Sequence, residues 1–105
     1  MKQTTAKKQT TAKEKASSVQ FWEIGKAYLI RTVTMIDLGR VVAIGPDFIT
    51  LTDGGWVAST GRFSTMLKDG TIDEFERCDE PWFLVGRGAI CDVFPWKHAI
   101  PKASK

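Results

Sequence analysis

The 105-residue chain is 43% hydrophobic and 26% charged, a composition ordinary for one globular domain. Its formal charge of +3 sits at one end. Residues 1–18 hold five lysines and one glutamate, a net of +4, which leaves 10 of the 15 basic and 11 of the 12 acidic groups, a net of −1, to the other 87 residues; this argues against a broad phosphate-binding surface on the body, because such surfaces work by clustered Lys and Arg releasing counterions.

The opening segment repeats Lys2-Gln3-Thr4-Thr5-Ala6-Lys7 as residues 8–13 and has no aromatic or large aliphatic residue after Met1. Such a stretch buries too little apolar surface to offset its ordering entropy, so residues 1–18 read as a disordered cationic tail. Its Lys7, Lys8 and Lys13 are candidates for contact with RNA or another polyanion. Residues 19–105 form the single β-rich domain. Ala27 to Ile36 reads as the clearest strand, with Leu29, Val33 and Met35 on one side and Thr32 and Thr34 on the other. Asp37-Leu38-Gly39 reads as a turn. Arg40–Ile44 and Phe48–Thr52 follow as two strands around a hairpin loop at Gly45-Pro46-Asp47. Asp53-Gly54-Gly55 reads as a further turn before a short run at Trp56–Ala58.

Between Ser59 and Gly70 the period changes: Phe63, Met66 and Leu67 share one helical face, Ser59 or Thr60 can cap it, and Asp69-Gly70 stops it. Thr71 to Pro81, with Asp73, Glu74, Glu76, Asp79 and Glu80 around Phe75, reads as a solvated acidic connection that could meet the basic tail of a neighbouring copy. Trp82–Val85 and Ala89–Phe94 are strands, bent at Gly86-Arg87-Gly88. The expected class is mainly β: a small SH3-like or Sm-like barrel, or a bent antiparallel sheet, with one short helix.

Signals for chemistry are sparse. The one histidine, His98, has no nucleophile beside it in sequence, and the acidic stretch lacks the apolar surroundings that tune a general acid. Gly86-Arg87-Gly88 lacks the spacing of a phosphate-binding loop. Cys78 and Cys91 are too few and too far apart for a zinc site; a reduced structural role is expected, with a disulfide as the alternative. The reading is therefore a non-enzyme with no metal or cofactor. No apolar run is long enough for a bilayer span, and no apolar stretch follows the charged N-terminus as in a secretory signal, so a cytoplasmic, non-membrane protein is expected.

Four tryptophans are many for this length. Trp22, Trp56 and Trp82, with Glu74 and Glu76, are candidate assembly contacts, and Trp96 beside Lys97 and His98 could stack a base. The small core favours a structural or scaffold module that associates with copies of itself.

Tyr28-Leu29-Ile30, Gly39-Arg40-Val41-Val42, Asp47-Phe48-Ile49-Thr50-Leu51 and Trp96-Lys97-His98-Ala99-Ile100 resemble, in order, elements of the Sm-like fold, in particular the bacterial Hfq family of RNA chaperones. The resemblance implies a six-membered ring in which Phe48, Lys97 and His98 line an RNA-binding face, and makes single-strand binding the alternative function. The chain departs from that family at Asp47, where a glutamine is usual, in a longer stretch between the Phe48 strand and the Lys-His pair, and in having no asparagine.

Overall fold

Every residue from Ala27 to Ile30 is buried, so the first strand must be covered on both faces. The computed structural model describes residues 21–105. The tail at residues 1–18, including Lys7, Lys8 and Lys13, lies outside the described residues. Among the described residues, six strands form one antiparallel sheet: β1 (Ala27–Thr32), β2 (Ile36–Ile44), β3 (Phe48–Ser59), β4 (Glu74–Arg77), β5 (Phe83–Gly86) and β6 (Ile90–Pro95), with one α-helix, α1 (Phe63–Asp69), after β3. The order is β4-β3-β2-β1-β6, and β5 pairs with the other end of β3. A short 3-10 turn, Arg87–Ala89, joins β5 to β6 where a bend was expected. The sheet is mainly β, bent and open: β5 and β6 share no ladder.

Two apolar clusters lie on its two faces. On one face Ala27, Leu29, Leu38, Val57 and Phe75 pack under Met66 of α1, Ile72, Trp96 and Ile100. On the other face Tyr28, Ile30, Val41, Ile49, Leu51 and Val85 pack together as the sheet curls, with Trp22 and Phe83 against them. Alternation along β1 sends neighbouring residues to opposite clusters, and each fully buried Leu or Ile contributes about 1.5–3 kcal/mol.

The helix is where its periodicity predicts. Phe63, Met66 and Leu67 turn toward the core, and Gly70 adopts the left-handed conformation (φ 77°) that lets its N–H close onto the Met66 carbonyl at 2.8 Å. The residue at the N-cap is Arg62, without a side-chain cap bond, rather than Ser59 or Thr60.

The strands correct the sequence reading in three places. Ala27–Ile36 is not one strand: the chain turns at Val33-Thr34-Met35, where the Thr32 hydroxyl accepts from the Met35 N–H (2.9 Å) and Val33 is 73% exposed. A threonine side chain here takes the role usually given to Gly, Asn or Asp. Asp37-Leu38-Gly39 and Asp53-Gly54-Gly55 are not turns but strand interior, in β2 and β3 respectively. The expected solvated connection contains β4 and two core residues, Ile72 and Phe75.

The second of these corrections shapes the molecule. Between Leu38↔Gly55 and Arg40↔Thr52, β3 uses one residue more than β2, and Asp53 sits there at φ 52°. This bulge reverses the alternation of β3, so Leu51 faces one cluster and Val57 the other. Asp53 is held by Arg77 (2.7 Å) and Lys102 (3.0 Å). Burial alone raises its carboxyl, but the hydrogen bonds from Arg77 and Lys102 outweigh that and leave it below the usual carboxylate value. The same end of the sheet is closed by the C-terminus, since Phe75 and Lys105 exchange backbone hydrogen bonds of 2.9 Å and the Arg77 N–H donates to the Ser104 hydroxyl at 2.8 Å.

Candidate functional site

β3 is 12 residues long and is interrupted by the bulge at Asp53. Its first half is flanked by β5, and its second half by β4. Residues paired across antiparallel strands share a face, which places Ile30, Asp37, Trp56 and Glu76 in one row across β1, β2, β3 and β4. Ile30 is buried in the second cluster, whereas Trp56 is 39% exposed and Glu76 lies at the surface. The row thus runs from core to open face.

The gap between β4 and β5 forms a groove of ≈ 320 Å³, with Asp37 and Trp56 in it, Glu76 and Arg77 from β4, and Phe83 and Leu84 from β5. A second depression of ≈ 460 Å³ lies on the other side of Met35 and Trp56, bounded by the Val33-Thr34 turn, Ala58 and Cys91. Met35 and Trp56 therefore form an exposed apolar ridge between two hollows.

The groove is electrostatically unbalanced. Burial pushes the Asp37 carboxyl up to about 6, because desolvation disfavours its charged form and no donor among the described residues compensates. Neither Asp37 nor Glu76 takes part in an ion pair among the described residues. Arg77, the one cation in the lining among the described residues, is committed to Asp53 and to the Pro101 carbonyl at 3.0 Å. What remains is an aromatic ring between two carboxyl groups, an arrangement suited to a cation with an apolar stem.

The residues singled out in sequence fall in different places. Trp56 and Glu76 meet in the groove, and Glu74 projects from the same face of β4. Trp82 is exposed at the entrance to β5, and Trp22 packs against the second cluster. Trp96 is a core residue, 5% exposed, with its indole N–H donating to the Ala99 carbonyl at 3.2 Å; a base could stack on it only if the core opened. His98 lies edge-on to Trp96 and bonds through Nε2 to the Leu67 carbonyl at 2.8 Å, near the end of α1. Lys97 is exposed but lines a separate hollow with Phe21, Glu23, Lys26 and Tyr28, while Phe48 is half exposed at the start of β3. The residues implied by the Hfq resemblance are thus not gathered in one groove.

His98→Ala is expected to cost about 0.5–1.5 kcal/mol, the worth of one intramolecular hydrogen bond. Lys97→Ala should stay within about 0.5 kcal/mol of wild type; urea unfolding of both variants measures the difference.

Asp37 and Met35 were missed in sequence because both were assigned to the wrong element. Among the described residues, no three His, Cys, Asp or Glu side chains come together as a metal site requires. Cys78 and Cys91 are both free thiols, Cys78 partly buried and Cys91 exposed. No helix among the described residues is long and apolar enough to cross a membrane. Neither a family model, nor a curated protein, nor a solved structure matches the chain.

Proposed function

We propose that the chain is a non-enzymatic structural module that assembles with copies of itself through the free edges of its sheet. The observation carrying this reading is an asymmetry among the edges. The outer edge of β4 is occupied by the chain's own C-terminus, whereas among the described residues β5 pairs only with β3 and β6 only with β1. An unpaired strand edge is a template for another strand, and proteins that remain monomeric usually blunt it with charge or proline. β6 carries both, in Asp92 and Pro95, but Phe83-Leu84-Val85-Gly86 carries neither, which makes β5 the open edge. Exposed apolar side chains gather around the same end: Leu84 and Phe48 are 48% and 50% exposed, and Val42, Ile44 and Trp82 are exposed beside them.

The strand order β5-β3-β2-β1-β6, with a single 3-10 turn between its end strands, supports assignment to the SH3-like or Sm-like small barrels, with α1 and β4 inserted between β3 and β5. Of the residues named for the RNA-binding alternative, Trp96 and His98 are occupied by packing.

Sedimentation of the full chain over a range of concentrations should give a mass of two copies or more. Leu84→Lys, which places a charge on the edge of every copy, should shift it toward the monomer while the far-ultraviolet circular dichroism stays unchanged. A wild-type mass of one copy at every concentration would remove the proposal.

A further inference from the structure

We infer that the groove between β4 and β5 receives the lysine-rich N-terminal segment of a neighbouring copy, with a lysine ammonium seated over Trp56 between Asp37 and Glu76. This rests on the self-association reading above and specifies one of its contacts.

Charge complementarity argues for this occupant. The groove presents two carboxyl groups without an ion-pair partner among the described residues, and its one arginine is engaged elsewhere. The body of the chain is net negative, so the largest local excess of cations available to it is residues 1–18 at +4. Trp56 adds a second requirement: an exposed indole face between carboxylates favours a cation over an apolar guest, and lysine brings both an ammonium and a hydrocarbon stem.

The segment also fits by size and reach. Apart from its lysines, Glu14 and Met1, residues 1–18 are Gln, Thr, Ala and Ser, small or unbranched side chains that an open groove of ≈ 320 Å³ can pass. Extended chain covers about 3.3–3.6 Å per residue, so Lys7, 14 residues before Phe21, can lie roughly 45–50 Å from it, enough to cross to an adjacent subunit. Phe21 itself is anchored away from the groove, with its carbonyl accepting from the Tyr28 hydroxyl at 2.7 Å in the β1–β6 region. The repeat spaces lysines at 2, 7, 8 and 13, offering the same docking unit twice.

Zero-length carbodiimide coupling tests this on the full chain, because it joins a lysine to a carboxylate only at contact. An equimolar mixture of natural-abundance and 15N-labelled protein is coupled, digested and read by mass spectrometry, with native mass measured on the same sample. The expected result is amide links from Lys7, Lys8 or Lys13 to Glu76 or Asp37 in mixed-isotope pairs. Trp56→Ala should lower their yield about 2–5-fold, and 0.5 M salt should reduce it further. An oligomer that shows no such links, or links spread evenly over Asp79, Glu80 and the other surface acids, overturns the docking and leaves self-association standing. Same-isotope links in a protein of monomeric mass overturn both.

Discussion

Replacing Gly54 with alanine is expected to destabilise the domain by about 3 kcal/mol or more, the upper end of what overpacking costs, and to lower its melting temperature by more than about 12 °C. At Gly54, β3 passes so close to β2 that an added Cβ would stand 1.8 Å from the Leu38 carbonyl oxygen and 2.6 Å from the Gly39 Cα. Both obstacles are backbone, so no rotamer change relieves them; the two strands must separate. Separation here would disturb the bulge at Asp53 and with it the reversed alternation that sends Val57 and Leu51 to different clusters. Gly88→Ala is the control. An added Cβ there meets nothing within 4 Å, and the change should stay within about 0.5 kcal/mol of wild type. Thermal unfolding followed by circular dichroism separates the two cases, and equal melting temperatures for both variants would contradict the close crossing of β2 and β3.

Gly54 also explains where the sequence misleads. Glycine close to aspartate is the usual mark of a turn, and both Asp37-Leu38-Gly39 and Asp53-Gly54-Gly55 carry it. Here glycine serves the close crossing of two strands, a tertiary requirement that one strand's local sequence does not announce. The real turn at Val33-Thr34-Met35 has no glycine, proline or asparagine; it depends on the Thr32 hydroxyl, in a residue type that otherwise signals strand. Where local chemistry alone decides the structure, the reading held: α1 follows from Phe63, Met66 and Leu67 with Gly70 behind them, and the β2–β3 hairpin closes with the Gly45 N–H donating to the Phe48 carbonyl at 2.9 Å. β4 was hidden by its charge. Only Phe75 in Glu-Phe-Glu-Arg is apolar, yet that one side chain is buried and the strand is held on both edges. The groove was legible in part for the same reason. Trp56 and Glu76 stand out by residue type, while Asp37 belongs with them only through a register set by the bulge.

In 0.5 M salt, which displaces the docked lysine from the groove, Asp37→Asn should stabilise the protein at neutral and alkaline pH and leave it nearly unchanged in acid. In the unfolded chain this carboxyl titrates near 3.9; in the fold, burial holds it at about 6. Between those values the folded state binds the proton more tightly than the unfolded state does. Stability linked to Asp37 is therefore greatest below about pH 4 and is lost as pH rises through 6. Two pH units would correspond to about 3 kcal/mol, but the side chain is only partly withdrawn from water, and solvent screening reduces the expected difference to about 1–1.5 kcal/mol. The charged groups that share its groove do not remove the effect: Glu76 lies beyond Trp56 in the same row, and Arg77 is bound to Asp53. Asp53 itself runs with the opposite sign, contributing stability that is lost as pH falls through its lowered pKa, and that contribution is common to wild type and variant. Urea unfolding of the pair at intervals from pH 4 to 8 isolates Asp37 as the gap between them, which should open across that window. A constant gap, or one that favours the wild type above pH 6, would mean that the carboxylate keeps a partner within its own chain even where salt has displaced the docked lysine.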